Sequence, residues 1–177
     1  MTDRKRAPAG IFPPVTTPFD PATGDLAPVQ FRQNIERLLA QGVDGVVVSG
    51  STGESPLLDP DEHRQLVGLA REALRNGKWL IAGTGAESTR QTIALSKSAA
   101  AAGADAVLVR PPSYFSAAAT LETLAIHFRA VADASPVPVL IYNIPKYTHL
   151  SLAPALLQQL ASHERIIGVK DSSGDPK

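Results

Sequence analysis

Short apolar runs that suit β-strands alternate with amphipathic helical patterns along this 177-residue chain. The runs recur 27 to 34 residues apart, which is the length of one strand followed by one helix. Because a strand that returns parallel to its predecessor needs a crossover of this size, the spacing predicts a parallel sheet covered by helices. The predicted strands begin near Ile11, Gly45, Trp79, Ala106, Pro138 and Ile166.

Helix-start and helix-stop residues occupy the intervals between these runs. Asp59 precedes Pro60 and two acidic residues, which is the pattern of a helix N-terminus, and Gly77 follows the end of the same segment. Gly42 closes the first helical segment in the same way. The predicted buried faces repeat at helical spacing and comprise Phe31, Ile35, Leu38 and Leu39; Leu66, Leu69, Ala70, Ala73 and Leu74; Leu121, Leu124, Ala125, Phe128 and Val131; and Leu156, Leu157 and Leu160.

Two architectures fit this alternation, a doubly wound open sheet and a (β/α)₈ barrel. An open sheet that binds nucleotides carries a glycine fingerprint after its first strand, but the first predicted strand leads into Pro13-Pro14-Val15-Thr16-Thr17-Pro18. Gly83-Thr84-Gly85 begins such a fingerprint, yet Ser88 stands in place of its third glycine. The segment from Gly50 to Glu54 lacks the Gly-Lys-Ser/Thr ending of a phosphate loop. These departures argue against a phosphate or nucleotide site.

Composition excludes several classes of function. The 17 basic and 17 acidic side chains balance, which argues against nucleic acid or an anionic membrane as the main partner. The chain has no cysteine, so it has no disulfide framework, no thiolate nucleophile and no cysteine-based metal site. The basic residues at positions 4–6 are not followed by an apolar stretch, so this is not a secretory signal. We expect a cytoplasmic protein with a flexible leader at residues 1–9 and one domain over residues 10–177.

Polar side chains follow each predicted strand. Because parallel strands all end on one face of a domain, these side chains are expected to converge there, and that face is where barrel enzymes place their sites. We therefore predict a functional site on this face. The side chains are Thr16 and Thr17, Ser49 to Glu54, Thr84 and Glu87, Arg110 to Tyr114, Tyr142 and Asn143, and Lys170 and Asp171.

Lys170 is the most informative of these residues. It closes the apolar run Ile166-Ile167-Gly168-Val169, and this run predicts a buried strand. An ammonium group that is desolvated tends to lose its proton, and a neutral amine is what a Schiff-base lysine needs. The alternative is an ordinary strand-end lysine that extends its charge into water.

Other chemistries find less support. The four histidines, His63, His127, His149 and His163, are scattered without metal-ligand spacing, so we expect no metal site. Ser51 does not stand in the G-x-S-x-G pattern of a serine hydrolase.

Three motifs at the predicted strand ends resemble a known family. Gly50-Ser51-Thr52-Gly53-Glu54, Tyr142-Asn143-Ile144-Pro145 and Gly168-Val169-Lys170-Asp171, in this order, are similar to those of the dihydrodipicolinate synthase / N-acetylneuraminate lyase family. The similarity runs from about Gly10 to Asp175. The resemblance implies a class I, pyruvate-handling aldolase on a (β/α)₈ barrel.

The resemblance also implies roles for individual residues. Lys170 matches the lysine that forms the Schiff base with a 2-oxo acid, and Tyr142 matches the tyrosine that moves protons. Ser51 and Thr52, with Gly53, match the motif that holds the pyruvate carboxylate and relays protons. Tyr114 resembles the relay tyrosine that in many members reaches into a neighbouring subunit. No metal or diffusible cofactor is implied.

Two positions depart from the family pattern. Dihydrodipicolinate synthases usually carry an arginine two residues after the proline of the Tyr-Asn-x-Pro motif, where it meets the second substrate, and here that position is Tyr147. Arg110 stands where many members have a small residue. We expect both to lie in the substrate site. The segments 10–19 and 170–175 resemble the 4-hydroxy-2-oxoglutarate aldolase branch more closely.

The length of the chain bears on all these expectations. A (β/α)₈ barrel usually needs about 250 residues, and this sequence stops after its sixth predicted strand. We expect a C-terminally truncated barrel of about six βα units, which in its full-length form is a homo-oligomer, usually a tetramer in the family. The alternative function is a catalytically inactive barrel fragment that binds small carboxylates or regulates another protein.

Overall fold

The structure is a computed structural model that describes residues 8–74 and 77–175. The described residues form five strands, β1 (Gly45–Val48), β2 (Trp79–Gly83), β3 (Ala106–Val109), β4 (Val139–Asn143) and β5 (Ile166–Asp171). They also form six α-helices, α1 (Pro28–Ala40), α2 (Pro60–Ala73), α3 (Thr89–Ala101), α4 (Leu121–Ala134), α5 (Pro145–Thr148) and α6 (Pro154–Leu160). None of these helices is long and apolar enough to cross a membrane. The predicted leader lies outside the described residues except for positions 8 and 9.

The five strands form one parallel sheet whose spatial order is the order of the chain, from β1 to β5. A doubly wound sheet reverses its strand order part-way, whereas a barrel adds each strand beside the last. The sequential order therefore decides between the two predicted architectures in favour of a (β/α)₈ barrel, of which the described residues form part.

Alternate residues of the strands face two different apolar clusters. Val46, Leu80 and Val107 belong to the larger cluster, which also contains the buried residues of α1, α2, α4 and α6. Val47 and Ile81 belong to a smaller cluster on the other face, which contains strand and loop residues alone. The helices thus cover the outer face of the sheet, and the inner face corresponds to a barrel interior.

The strand predicted near Ile11 is not a regular strand. The segment does run parallel to β1, because the Val15 amide donates to the carbonyl of Val47 and the Val47 amide donates to the carbonyl of Pro13. Only a single bridge, between Pro14 and Val47, is formed. Pro13 and Pro14 have no backbone N–H, so they cannot donate hydrogen bonds to a second ladder position.

The predicted helices are confirmed, and their ends follow the local sequence. Asp59 accepts hydrogen bonds from the amides of Asp61 and Glu62, and the Glu62 side chain accepts from the Asp59 amide, which completes a capping box on α2. Leu121 was expected to be buried, but it is 43% exposed because it is the first residue of α4. The short helix α5, which carries Tyr147, was not predicted.

The prediction that Lys170 closes a buried strand is wrong. Each residue of β1 is buried, whereas those of β5 are partly or fully exposed. In the described residues β5 is an edge strand with β4 as its single neighbour, so one side of it meets water. Ile166 is the residue of β5 that packs against the main core.

Candidate active site

Tyr142 and Lys170 are direct neighbours across β4 and β5. They are register partners in the parallel ladder, so their side chains point to the same face of the sheet. Tyr142 belongs to the inner apolar cluster, and the Lys170 Nζ lies 4.2 Å from the centroid of its ring. We call these two residues the lysine pair. The pair brings together an amine and a phenol from positions 28 residues apart.

The surroundings of Tyr142 favour its ionised form. Burial raises the pKa of the Tyr142 phenol, but side-chain hydrogen bonds from Ser172, Ser51 and Lys170, together with the charge of Lys170, outweigh that effect and lower it. The phenol therefore releases its proton more readily than that of an ordinary tyrosine. The sequence carries no signal for the part played by Ser172, which follows β5 in a loop.

The turn after β1 places Ser51 next to this phenol. The carbonyl of Gly53 accepts a hydrogen bond from Thr17 Oγ1 at 2.7 Å, which ties the turn to the segment beside β1. A Cβ atom at position 53 would lie 3.0 Å from the carbonyl oxygen of Val15, which is tighter than most such contacts, so this close approach favours glycine. Thr52 is exposed, and its side chain makes no hydrogen bond to the described residues. Ser51 is therefore the member of the predicted hydroxyl pair that contacts the lysine pair.

Asn143 and Asp171 connect the two strands directly beyond the lysine pair. Asn143 is 7% exposed, and its Nδ2 donates to Asp171 Oδ1 at 2.6 Å while its Oδ1 accepts from the amide of Leu152 at 3.1 Å. Hydrogen bonds from Ser173 and Asn143 lower the pKa of Asp171. The two residues were noted in the sequence as polar strand ends, but their bridging role follows from the strand register. They hold the ends of β4 and β5 at a fixed separation.

A cavity of about 430 Å³ opens beside Ser51. Arg110, from the loop after β3, and Tyr147, from α5, both line it. Their role in binding substrate stays a prediction. Tyr147 is 57% exposed, and the Lys146 Nζ lies 5.2 Å from the centroid of its ring. The cavity thus extends from the neighbourhood of the lysine pair toward β3.

Glu87 organises the far wall of this cavity. Its Oε1 accepts from Arg110 Nη1 at 2.9 Å and from Ser113 Oγ at 3.0 Å, and its Oε2 accepts from the amides of Ser113 and Tyr114, both at 2.8 Å. Burial raises the pKa of Glu87, but the hydrogen bonds from Tyr114, Ser113 and Arg110, with the charge of Arg110, lower it to about 2. We call Glu87 and Arg110 the arginine pair. The sequence placed Glu87 at a strand end but gave no sign of these four hydrogen bonds.

Tyr114 does not join the lysine pair within this chain. It is 78% exposed and lines a second cavity of about 430 Å³, together with Phe115, Thr89 and His127. Its predicted role as a relay to a neighbouring subunit stays a prediction.

His63 and His127 lie buried on α2 and α4. Nε2 of His63 is 2.7 Å from the carbonyl of Gly83, and Nδ1 of His127 is 2.9 Å from Thr89 Oγ1. The described part of the chain contains no group of three or more His, Asp or Glu side chains placed to bind a metal ion.

The model of the dihydrodipicolinate synthetase family matches residues 7–177. The chain belongs to this family. The predicted resemblance is therefore confirmed, and with it the assignment of the sheet to a (β/α)₈ barrel.

Three relatives are 34% to 43% identical to this chain over the aligned residues. A protein of Emericella nidulans named "Probable 4-hydroxy-2-oxoglutarate aldolase, mitochondrial" is 43% identical over 99% of this chain and 58% of its own length. A 4-hydroxy-tetrahydrodipicolinate synthase of Methanoculleus marisnigri is 40% identical over 94% of this chain and 56% of its own length. The crystal structure of dihydrodipicolinate synthase from Acinetobacter baumannii with pyruvate has a TM-score of 0.89 and 34% identity, over 94% of this chain and 56% of that one.

The chain thus spans a little over half the length of the relatives that it matches. Residues 7–177, which the family model matches, contain all three motifs that carried the resemblance, including the lysine pair.

Proposed function

We propose that this chain carries the Schiff-base site of a class I carbon–carbon lyase that acts on pyruvate or a related 2-oxo acid. The observation that carries the proposal is the lysine pair, in which an amine lies against a phenol of lowered pKa. A site that only binds carboxylates needs a cation, but it does not need a phenol prepared to exchange protons. Pyruvate as the donor agrees with the solved relative that contains it.

The chemistry follows from the two groups. Once Lys170 has given up a proton, its amine adds to the keto carbon of the 2-oxo acid, and loss of water from the carbinolamine gives an iminium ion. This ion withdraws electrons from the adjacent carbon, which then loses a proton to form an enamine. The enamine carbon attacks the carbonyl carbon of an aldehyde, and water releases the product from Lys170. Cleavage runs through the same steps in reverse.

Tyr142 is proposed to move the protons that these steps need. Dehydration of the carbinolamine requires that a proton be donated to the departing oxygen. The reverse step, in which water adds to the iminium ion, requires that a proton be taken from that water. Ser51, which hydrogen-bonds the phenol, is placed to pass the proton on or to hold the carboxylate of the 2-oxo acid. In this proposal no cofactor takes part.

We propose a 4-hydroxy-2-oxoglutarate aldolase-like or dihydrodipicolinate synthase-like reaction. Relatives with both names match at similar identity, 43% and 40%. Tyr147, in place of the synthase arginine, favours the aldolase-like branch.

The test is intact-mass spectrometry of the chain after incubation with pyruvate and sodium borohydride, which reduces an imine to a stable amine. We expect one pyruvyl adduct on the unaltered chain and none on Lys170→Ala. Lys146→Ala is a matched control, because Lys146 is also a lysine over a tyrosine ring, at 5.2 Å rather than 4.2 Å. An adduct that persists in Lys170→Ala, or its absence from the folded, unaltered chain, would contradict the proposal.

A second candidate is a catalytically inactive barrel fragment that binds small carboxylates or regulates another protein. The exposure of β5 favours it, because the strand that carries Lys170 is the least buried of the five. This candidate predicts that pyruvate binds reversibly, as measured by titration calorimetry, while borohydride traps nothing.

The cytoplasmic location and the homo-oligomeric state stay predictions. Cell fractionation tests the first, and light scattering at several protein concentrations tests the second.

A further inference from the structure

Arg110 is the cation of the cavity beside Ser51. Of the described residues that line this cavity, Arg110 is the single lysine or arginine, and its side chain is 16% exposed. A guanidinium that is mostly withdrawn from water is costly unless it is paired, and here one of its nitrogens is paired with Glu87. Its position is therefore fixed by specific contacts.

The contacts of Arg110 use only one corner of the guanidinium group. Nη1 donates to Glu87 Oε1 at 2.9 Å and to the carbonyl of Pro111 at 3.0 Å, with a third contact to Ser113 Oγ at 3.4 Å. Nε and Nη2 make no hydrogen bond to any described residue. These two nitrogens form the edge that binds a carboxylate through two parallel hydrogen bonds.

The residues next to Arg110 restrict its position. A Cβ atom at position 85 would lie 2.5 Å from Cγ of Arg110 and 2.6 Å from its backbone nitrogen, so glycine there makes room for the arginine. The two oxygens of Glu87 are each occupied by two donors, so the carboxylate cannot turn away from Arg110 without losing them. Gly85, read from the sequence as part of an incomplete nucleotide fingerprint, thus has a packing role.

The cavity that Arg110 lines connects it with the surroundings of the lysine pair. Ser51 lines the cavity and also hydrogen-bonds Tyr142, so the cavity begins next to the proposed Schiff base. Tyr147 lines it too, at the position where the synthases of the family carry their arginine. That position therefore lacks a cation, and the cation of the cavity comes instead from the loop after β3.

We propose that Arg110, held by Glu87, binds the carboxylate of the acceptor and so selects aldehydes that carry an acid group. This inference rests on the proposed function, because that function makes the bound aldehyde an acceptor. The binding itself can be measured without turnover. It makes Arg110 a specificity-determining residue whose partner is a small aldehyde acid rather than a neutral hydroxyaldehyde.

The test compares the binding of two aldehydes of the same carbon number, glyoxylate with a carboxylate and glycolaldehyde without one. Saturation-transfer NMR measures both dissociation constants in Lys170→Ala chains, where neither aldehyde can form an imine at position 170. We expect glyoxylate to bind more tightly than glycolaldehyde, and Arg110→Gln to raise its dissociation constant about tenfold or more. Glycolaldehyde is expected to change less than about threefold, because it makes no charged pair.

Two further variants keep the result decisive. Arg32→Gln removes a cation that pairs with Glu72 on the outer helices, and glyoxylate binding should be unaltered. Arg110→Lys keeps the charge without the planar edge, so its dissociation constant for glyoxylate should lie between those of the chains with Arg110 and with Arg110→Gln. Arg110→Lys also replaces Arg110→Gln if the latter does not fold. Equal affinity for the two aldehydes, or equal glyoxylate affinity with and without Arg110, overturns the inference. Borohydride trapping of pyruvate is measured separately, so failure of the proposed function is recognised independently.

Discussion

The two pairs of residues stand on the same end of the sheet but in different surroundings. The lysine pair occupies β4 and β5, and β5 is an exposed edge strand in the described residues. The arginine pair follows β2 and β3, which are largely buried and have a strand on each side. Two loops meet at Glu87, whose carboxylate accepts four hydrogen bonds.

The two pairs have different proposed roles, the lysine pair in the reaction and the arginine pair in the recognition of substrate. The amine of Lys170 must accept and release a covalently bound substrate, and it lies on the partly exposed strand β5, whereas the phenol of Tyr142 is held in the inner cluster. An arginine that selects between substrates must keep one orientation, and it lies where packing and hydrogen bonds are dense. The two pairs should therefore respond differently to substitution. Changes in the lysine pair should alter the reaction rate, and changes at the arginine pair should alter how stability depends on pH.

Tyr142→Phe should have the largest effect. It removes the hydroxyl that is proposed to move protons but keeps the ring, so the rate at which pyruvate forms the borohydride-trapped adduct should fall by about 10²- to 10⁴-fold. Quenching the reaction at successive times and measuring intact mass gives this rate. The final extent of trapping and the melting temperature serve as controls. An unchanged rate would remove Tyr142 from the chemistry and leave the lysine pair without its phenol.

Ile141→Ala and Val169→Ala test the difference in burial directly. The two residues are register partners on β4 and β5, yet Ile141 is 1% exposed and Val169 is 42% exposed. Loss of a buried isoleucine side chain should lower the free energy of unfolding by about 2–5 kcal/mol, because it leaves a cavity. The Val169 change should cost less than about 1 kcal/mol. Urea titrations compare them, and similar losses would mean that β5 is as well packed in solution as β4.

The elements of the fold could be predicted from the sequence because local signals decide them. Asp59, Pro60 and Glu62 carry the whole start of α2, and apolar runs mark β1 to β5. The same runs could not predict the exposure of β5, since burial depends on how many strands lie beside it. They also suggested a first strand at Pro13 and Pro14, where the missing N–H groups prevent a regular ladder.

The site was predictable as a set of residues but not as an arrangement. The motifs indicated Lys170, Tyr142 and Ser51, and parallel strands place their ends on one face. That Tyr142 and Lys170 are register partners depends on strand pairing, which residue order alone does not specify. The role of Glu87 depends on a loop conformation that points the amides of Ser113 and Tyr114 at its carboxylate.

The histidine behind the arginine pair should make stability depend on pH. Burial lowers the pKa of His127 to about 4, with a smaller lowering by the charge of Arg110 and an opposing effect of Glu87. The unfolded chain binds a proton near pH 6.5, whereas the folded chain does so near pH 4. The free energy of unfolding should therefore fall by about 1–3 kcal/mol as the pH is lowered from 6.5 to 4. Urea titrations across this range should show a smaller fall in His127→Gln.

His63 also contributes to the loss of stability below pH 6.5, because burial lowers its pKa in the folded chain as well. Some loss of stability should therefore remain in His127→Gln. The two chains are compared by how steeply the free energy of unfolding changes with pH. Titrations at pH 7.5 give the loss of packing that the substitution causes by itself. Parallel curves for the two chains would show that His127 is more accessible to water in solution than its 4% exposure implies.

Glu87→Gln should have the smallest effect, at lower pH. The folded-state pKa of Glu87 is about 2, below its ordinary value of 4.5, so its ionised form stabilises the fold above pH 4.5. As the pH falls from 4.5 toward 2, the unfolded chain gains a proton before the folded chain does, and this stabilisation is lost. Because the side chain is 45% exposed, solvent screens the pair and the loss should stay below about 1 kcal/mol. Glu87→Gln should lack this component in acid urea titrations, whereas Glu72→Gln, at an outer ion pair, should retain it. If Glu87→Gln and the unaltered chain lost stability equally, the four hydrogen bonds would not hold the carboxylate in its charged form, and Arg110 would lose the support on which its selectivity depends.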